Sequence, residues 1–359
     1  MNESQSWVYE SAAPGLDGIR RVLRPRRALA ADEVRIKVAA AAINYRDYAL
    51  ATGSYLPQMP RPYVPLSEGA GVVLEVGENV PRLTSGDRVL GHYTSAWLDG
   101  AFQSFFHDSK IGGPVDGWLA EEIIMPASAL LPVPHGWSMK EAASLAISGV
   151  TAWHALGDIL ALEGQFVLIE GTGNVSLMAL ELAAHAGARP IVLTSRQHLA
   201  TELQQRGADV VIGPGDSATR LESIMRFTGG RGVDLAVDVA GGDTLMALVL
   251  PSMATGGRVA VVGFLDDNHV QGDLVGPLLK GLLRLEGVSV GSRRQFEELL
   301  AFMQAHEMRP SIAETFSPED IQQALVHRPK NLGKVVVAMD ECCDDGGGFH
   351  VKQSLSYEL

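Results

Sequence analysis

Cysteine is nearly absent from this sequence: among 359 residues there are only two, Cys342 and Cys343, side by side near the end. Two adjacent thiols exclude a disulfide framework and a structural zinc site of four thiolates. Their surroundings are acidic and glycine-rich without hydrophobic periodicity, which predicts a flexible tail over 341–359. The sequence gives a redox role for the pair little support.

Positive charge and long apolar runs are also scarce. The formal net charge is −13, and the one local basic cluster, 20–27, is interpreted as the solvated face of a hairpin. We therefore expect no nucleic-acid partner. No apolar run approaches the ~20 residues that cross a bilayer, and no basic start precedes an apolar core. These absences predict a cytoplasmic protein without a membrane partner.

The length exceeds what one hydrophobic core usually serves, so two domains are expected. Short β-type runs separated by glycine and proline turns fill the first part, which predicts a compact, barrel-like β-rich domain. These runs lie at 34–42, 71–76, 88–91 and 121–125. Ser138 with Glu141 forms a capping-box pattern that predicts a helix through Leu145, and a second helix begins near Thr151.

From residue 166 the pattern alternates between strand and helix, which predicts an α/β fold with a doubly wound parallel sheet. Strands are predicted at 166–170, 190–194, 209–212, 233–239, 257–263 and 284–290, and helices at 175–187, 197–206, 217–227 and 243–253. A helix over 293–306, a strand near 310–316, a helix opened by Ser317 and a strand over 334–339 return to the first domain. We expect a discontinuous β-rich domain over 1–149 and 292–340, and a dinucleotide domain over 150–291.

A glycine turn lies between the first predicted strand and helix of that sheet. Its residues are Gly171, Thr172, Gly173, Asn174, Val175 and Ser176. Two glycines let the backbone approach a pyrophosphate at the positive end of the helix, and Ser176 stands where the third glycine of Gly-x-Gly-x-x-Gly is expected. All six are therefore candidate cofactor contacts. An ordinary surface turn is the alternative.

The end of the second strand of a dinucleotide domain selects the nucleotide. Here Thr194-Ser195-Arg196 offers no acid for the ribose hydroxyls, but a hydroxyl and a guanidinium for a 2′-phosphate. The sequence therefore favours NADP(H) over NAD(H). The alternative is that Arg196 is a solvated helix start, with Arg206 or Arg231 in its place. Later strand ends should line the same crevice, through Ala240, Gly241, Gly263 and Phe264.

Several motifs together resemble the medium-chain dehydrogenase/reductase superfamily over about 7–339. They are Asn-Tyr-Arg-Asp at 44–47, Gly-Ser-Tyr at 53–55, Glu-Gly-Ala-Gly-Val-Val at 68–73, Val-Gly-Glu-Asn-Val at 76–80, Gly-Asp-Arg-Val at 86–89, Gly-Val-Thr-Ala-Trp at 149–153 and Gly-Gly-Arg-Gly-Val-Asp at 229–234. The resemblance implies that the β-rich part is a GroES-like catalytic domain and the other part a Rossmann domain.

Zinc alcohol dehydrogenases of this superfamily hold a catalytic metal through three side chains. The resemblance places Asn44, Ser67 and Ser148 at those positions, and none is a good zinc ligand. Glu68 remains beside the lost histidine, but one carboxylate does not make a metal site. The chain is instead similar to the zinc-lacking branch of quinone oxidoreductases and enoyl reductases, which implies hydride transfer from NADPH to an activated carbon–carbon double bond or a quinone.

The same resemblance suggests roles for individual residues. Asn44 is expected near the nicotinamide, and Tyr55 is expected to stabilise the substrate oxygen or to donate a proton. Thr151, Ser292 and Arg293 are expected near the cofactor. The alternatives are a packed loop aromatic for Tyr55, and a helix cap with a solvated cation for Ser292 and Arg293.

Substrate and assembly are less constrained. Aromatic residues in the region of the missing zinc lobe could line an apolar pocket or pack in the core, namely Trp97, Phe102, Phe105 and Phe106. An exposed sixth strand would let two copies pair as a homodimer. The leading hypothesis is an NADPH-dependent reductase of enones, enals or enoyl thioesters. The alternatives are an NADPH:quinone reductase and a catalytically silent NADPH-binding structural or regulatory protein.

Overall fold

The computed structural model describes residues 5–263 and 269–339. The chain begins with an antiparallel hairpin of β1 (Gln5–Ser11) and β2 (Ile19–Pro25). Basic residues on and after β2 pair with carboxylates: Arg24 with Asp116, Arg26 with Glu122, and Arg27 with Glu33. The basic cluster is therefore a neutralised hairpin face, as the sequence predicts.

A seven-stranded sheet forms the β-rich part of the molecule. Its first strands and the helix between them are β3 (Glu33–Ala42), α1 (Tyr45–Thr52), β4 (Glu68–Val76), β5 (Arg88–Gly91), β6 (Glu122–Pro126) and β7 (Leu130–Pro132). β3 pairs antiparallel with both β4 and β6. The four strands predicted in this region are confirmed, with shifts of a few residues at their ends.

Two helices connect this sheet to the second part. α2 (Met139–Ala142) starts with the predicted capping box, in which Ser138 Oγ accepts the Glu141 N–H at 3.2 Å. α3 (Ser148–Leu156) is almost wholly buried.

The second part is a six-stranded parallel sheet with helices. In chain order its elements are β8 (Phe166–Glu170), α4 (Asn174–His185), β9 (Arg189–Leu193), α5 (Ala200–Gln205), β10 (Val210–Ile212), α6 (Ser217–Phe227), β11 (Val233–Asp238), α7 (Gly242–Thr244), a π-helical turn (Leu245–Val249), α8 (Leu250–Ser252), β12 (Met253–Val261), α9 (Val275–Gly281) and β13 (Arg284–Gly287). The strand order is β10-β9-β8-β11-β12-β13, that of a doubly wound dinucleotide fold. The predicted fold class is confirmed.

Four details differ from the predicted elements. The helix expected over 243–253 is interrupted by the π-helical turn, and β12 begins at Met253 rather than at 257 because Met253 pairs with Val233 before a register shift. β13 ends before 290. Val290 has a φ of 48°, a left-handed conformation that an extended strand cannot contain. α9 was not predicted.

The chain then returns to the first sheet through α10 (Arg293–Ala305), β14 (Ile312–Phe316), α11 (Ile321–Val326) and β15 (Lys334–Ala338). β15 pairs antiparallel with β3, which supports the proposed discontinuous domain. α3 packs against α4 and α10 between the two parts. Within the described ranges, no helix is both long and apolar enough to span a bilayer. Cys342, Cys343 and the tail lie outside these ranges.

Candidate active site

Asn44 joins β3 to α1 and is nearly buried, with 9% of its surface exposed. It is the N-cap of α1, and its backbone N–H donates to Asp47 Oδ2 at 2.9 Å. A polar residue followed three positions later by an acceptor is the usual chemistry of a helix start. The Asn-Tyr-Arg-Asp motif therefore fixes the backbone of Asn44.

The Asn44 side chain belongs to a buried polar group with Glu68, Ser148 and Lys334, which we call the lysine cluster. Lys334 Nζ donates to Asn44 Oδ1 at 2.6 Å and to Ser148 Oγ at 3.3 Å. The same ammonium lies 2.6 Å from Glu68 Oε1, which also accepts from Asn44 Nδ2 at 2.9 Å. The three donors of the ammonium thus meet three acceptors.

The fold brings these residues together because three elements begin at the cluster. Glu68 opens β4, Ser148 opens α3 and Lys334 opens β15. The antiparallel pairing of β15 with β3 sets Lys334 beside Asn44, and the Ile43 N–H extends this pairing to the carbonyl of Val335 at 3.0 Å.

The cluster is buried and holds an ion pair. Glu68 is 0% exposed and Lys334 is 2% exposed. Burial raises the pKa of Glu68, while the Lys334 ammonium, the Ile147 N–H and the Asn44 amide oppose that rise. An isolated charge here would cost several kcal/mol of desolvation. The carboxylate and the ammonium therefore depend on each other.

Ser67 lies next to the lysine cluster but bonds elsewhere. Its hydroxyl donates to Asp47 Oδ1 at 2.5 Å and accepts from the Arg46 guanidinium. Arg46 also donates to the carbonyls of Ile111 at 3.3 Å and Gly113 at 3.1 Å. Burial raises the pKa of Asp47, and Arg46 opposes that rise. This second network holds the segment of Ile111 and Gly113 against the start of α1.

Tyr55 follows α1 and is partly buried, with its N–H donating to Ala49 O at 3.1 Å. Burial raises the pKa of the neighbouring Tyr93, and Tyr55 adds to the rise. The Arg46 guanidinium lies 4.9 Å and Lys110 Nζ 5.9 Å from the Tyr93 ring centroid. Burial, with a contribution from Arg46, lowers the pKa of Lys110 to about 8. The phenol groups of Tyr55 and Tyr93 and the Lys110 amine thus lie in one region.

The aromatic residues between 97 and 106 pack mainly on one another. The Trp97 ring lies 4.9 Å from that of Phe102 and 6.2 Å from that of Phe106, and Trp97 Nε1 donates to Gly100 O at 2.9 Å. Phe105 is 63% exposed. Packing accounts for Trp97 and Phe106, which are buried.

The glycine turn combines a left-handed glycine with an open helix start. Gly171 has a φ of 74°, and Thr172 beside it is partly buried. Gly173 is the N-cap of α4, and a Cβ there would meet no atom within 4 Å. The Leu177 N–H donates to Gly173 O at 2.8 Å, so the preceding amides, those of 174–176, have no partner within the helix. Open space before free amides fits a pyrophosphate.

Ser176 closes this turn. It is 2% exposed, and its hydroxyl donates to Glu170 O at 2.6 Å, which ties α4 to the end of β8. Its small side chain keeps helix and strand close, as the sequence suggests. The hydroxyl itself is used within the protein, so only its backbone amide remains for a ligand.

A pair of buried carboxyl groups, Glu170 and Asp238, lies where β8 and β11 end. Glu170 Oε2 accepts the N–H groups of Val239 at 3.2 Å and Ala240 at 3.3 Å, and Asp238 Oδ1 accepts that of Gly241 at 3.0 Å. Burial raises the pKa of Glu170 well above its usual range, and Asp238 raises it further. The two carboxyl groups thus hold the strand-end loop containing Ala240 and Gly241.

Gly263 follows β12 at the same edge of the sheet, where a Cβ would lie 2.9 Å from Val239 O. A glycine is therefore required for this close approach. Phe264, also predicted to contact the cofactor, lies outside the described residues.

Ser195 and Arg196 follow β9. Ser195 is exposed, while the Arg196 guanidinium donates to the carbonyl of Pro329 at 3.1 Å and to that of Lys330. Arg196 is therefore held against the segment before β15 rather than extended into solvent.

The other predicted cofactor residues make contacts within the protein. Thr151 Oγ1 donates to Ile147 O at 2.6 Å. Ser292 is the N-cap of α10 and accepts the Gln295 N–H at 3.2 Å. Arg293 pairs with Glu297 at 2.9 Å and donates to Leu130 O at 3.4 Å.

Sequence reasoning missed Lys334, Lys110 and the Glu170–Asp238 pair. Lys334 carried a readable signal, because it is a single charge opening the apolar run Lys-Val-Val-Val-Ala. The other two carried none, since their environments depend on contacts between segments distant in sequence.

Comparisons with known proteins identify the family of this chain. Residues 30–135 match the family model of the alcohol dehydrogenase GroES-like domain, and residues 174–305 match that of zinc-binding dehydrogenases. A zinc-type alcohol dehydrogenase-like protein of Schizosaccharomyces pombe is 30% identical over 316 residues, 86% of this chain and 91% of the yeast protein. The chain therefore belongs to the medium-chain dehydrogenase/reductase superfamily. It is an oxidoreductase, and its parallel sheet has a Rossmann-like fold.

Two further relatives are described as different kinds of protein. A phenolphthiocerol synthesis polyketide synthase type I of Mycobacterium bovis is 35% identical over 246 residues, 68% of this chain and only 10% of that synthase. Quinone oxidoreductase-like protein 2 of Bos taurus is 28% identical over 326 residues, 86% of this chain and 85% of the bovine protein.

The matched family is described as zinc-binding, but the residues of this chain do not fit a zinc ion. Amide and hydroxyl groups stand at Asn44, Ser67 and Ser148, where zinc prefers thiolate, imidazole or carboxylate. The Lys334 ammonium, already a cation, lies among two of them and Glu68. In the described parts of the chain, no three His, Cys, Asp or Glu residues form a metal-binding group.

Proposed function

We propose that this protein is a zinc-independent, NADPH-dependent reductase that transfers hydride to an activated carbon–carbon double bond of an enone, enal or enoyl thioester. The observation that carries the proposal is the lysine cluster, in which an ammonium occupies the surroundings that a catalytic metal would need. Without a Lewis acid, oxidation of a simple alcohol is disfavoured, whereas reduction of a polarised double bond needs only hydride, a proton and stabilisation of the oxygen.

The cofactor is proposed to bind along the carboxyl edge of the parallel sheet. The free amides at the start of α4 would hold its pyrophosphate, and the loop of Ala240 and Gly241 would border the nicotinamide half. Bound NADPH would supply the hydride that reaches the β-carbon of the substrate. The site would also be supported by Thr151, Ser292 and Arg293. Their contacts within the protein fix the backbone beside the proposed cofactor.

Preference for NADPH is supported by the absence of an acid after β9. Ser195 is exposed there, and the carbonyls of Pro329 and Lys330 hold the Arg196 guanidinium in place. A positive charge at this position suits a 2′-phosphate and gives no acceptor for the ribose hydroxyls of NADH.

During reduction, negative charge develops on the carbonyl oxygen of the substrate, and a donor must stabilise it. We propose the Asn44 amide for this role and Tyr55 as the proton donor. Tyr55 lies near Tyr93, over whose ring the Arg46 guanidinium lies at 4.9 Å. Lys110, with a pKa of about 8, can return a proton to this region at neutral pH.

An acceptor panel tests the proposal. Purified protein is mixed with NADPH or NADH and with an enone, an enal, an enoyl thioester, a naphthoquinone or a simple aldehyde, and loss of the reduced nicotinamide is followed. We expect turnover with NADPH and the conjugated acceptors, and a lower dissociation constant for NADPH than for NADH. Turnover of the aldehyde alone, or tighter binding of NADH, would contradict the proposal.

An NADPH:quinone reductase is the second candidate, because a quinone oxidoreductase-like protein matches most of this chain. Faster turnover of the naphthoquinone than of every enone and thioester would favour it. Binding of NADPH without turnover of any acceptor would favour a catalytically silent binding protein.

A homodimer that pairs along β13 stays a prediction. It is supported by the position of β13 at the edge of the sheet and by the exposure of Leu279 and Leu282, 72% and 69%. The cytoplasmic location expected from the sequence also stays a prediction.

A further inference from the structure

The two ends of the Asn44 amide meet chemically opposite partners. Oδ1 accepts from the ammonium of Lys334 at 2.6 Å, and Nδ2 donates to the carboxylate of Glu68 at 2.9 Å. An ammonium can only donate, and a carboxylate can only accept. A flipped amide would place donor against donor and acceptor against acceptor, so the ion pair permits one orientation.

The backbone around Lys334 is fixed independently of its side chain. The Lys334 N–H donates to Ser311 O at 2.8 Å. Gly333 before it has a φ of 129°, and a Cβ there would lie 2.6 Å from the same carbonyl. A residue other than glycine would therefore displace the start of β15, and the position from which Lys334 reaches Asn44 is built into the fold.

One hydrogen of Asn44 Nδ2 is used by Glu68, and the second has no acceptor among the residues that the structure describes. Because the ion pair fixes the amide plane, it also fixes the direction of this second hydrogen. Ser148 Oγ, 3.3 Å from the ammonium, supplies the remaining acceptor that holds Lys334 in place.

We propose that Lys334 is a positioning residue for the reduction: with Glu68 it locks the Asn44 amide in the orientation that directs its free N–H to the substrate oxygen. This inference rests on the proposed function. In this chain a lysine and a glutamate would organise the active site, although the matched family is described as zinc-binding. Lys334 acts through Asn44 and does not contact the substrate, since it is 2% exposed.

The test compares neutral replacements of two ion pairs. Glu68→Gln with Lys334→Met removes both buried charges together, which avoids an unpaired carboxylate and keeps the protein folded. Glu222→Gln with Arg226→Met removes one ion pair of α6, away from the cluster, and is the control. Each protein is assayed with the best acceptor of the wild type, and NADPH binding is measured separately.

We expect the Glu68/Lys334 double variant to lose about a hundredfold in kcat, ~2.7 kcal/mol at 1.36 kcal/mol per tenfold, because a misdirected donor no longer meets the developing charge. The KM and the NADPH dissociation constant should stay within about twofold, since uniform binding is not affected. The control should keep its kcat. A double variant that folds, binds NADPH and retains a kcat within about threefold of the wild type overturns the inference.

Adding Asn44→Ala distinguishes positioning from general structural support. If Lys334 acts through Asn44, this substitution lowers kcat strongly in the wild type and adds little in the double variant. Equal losses in both backgrounds overturn the inference. A wild type that reduces none of the acceptors removes the proposed function and the inference with it, whereas an active wild type with an equally active double variant removes the inference alone.

Discussion

Two buried glutamates, one in each part of the molecule, are stabilised by different kinds of partner. Glu68 is 0% exposed and lies 2.6 Å from the ammonium of Lys334. Glu170 is 4% exposed and lies beside a second carboxylate, Asp238, with backbone N–H groups as its other partners. Burial raises the pKa of both, but a cation opposes the rise only for Glu68.

The difference shows what each position requires. At Glu170, a retained proton lets two carboxyl groups share a dry site, and the result is a fixed loop at the cofactor edge. At Glu68, an ion pair surrounds an amide that we propose faces the substrate. The two glutamates therefore have different roles: Glu170 is a neutral group that holds a loop, and Glu68 is one half of a charged pair.

The largest effect is expected from separating the charged pair. Lys334→Met leaves Glu68 buried beside an apolar side chain, so the free energy of unfolding should fall by about 3–5 kcal/mol. Chemical denaturation at neutral pH measures this loss, and Glu68→Gln added to Lys334→Met should recover most of it. A single variant as stable as the wild type would mean that Glu68 carries no buried charge.

A smaller effect, of opposite sign, is expected at the other glutamate. Since the pKa of Glu170 is raised in the folded state, its contribution to stability is complete below the pKa of the unfolded chain and is lost as pH rises through the folded value. Glu170→Gln removes this dependence. It should match the wild type near pH 4 and exceed its stability by on the order of 1 kcal/mol at higher pH.

Melting temperatures of both proteins across this pH range provide the measurement. Glu222→Gln, at an exposed pair with Arg226, is the control and should show no growing difference. If the Glu170→Gln protein instead becomes less stable than the wild type as pH rises, Glu170 is ionised in the folded wild type and is held by its two N–H donors.

The sequence predicts the doubly wound sheet because its strands and helices follow local periodicity, and the N-terminal strands because turns delimit them. Asn44, Ser67 and Ser148 could be singled out through motifs, but their contacts could not be foreseen. Ser67 bonds to Asp47 and Arg46, while Asn44 and Ser148 bond to Lys334, far away in the chain. The pairing of β15 with β3 makes that contact, and no local pattern encodes such a pairing.

We propose that an ammonium, and not a metal, organises the site around Asn44. This proposal is tested most directly by measuring NADPH consumption with a conjugated acceptor before and after exhaustive treatment with a chelator, with metal content determined on the same samples. We expect an unchanged rate in the metal-free protein and no increase when Zn²⁺ is added. A rate that disappears with the metal and returns with Zn²⁺ would contradict it.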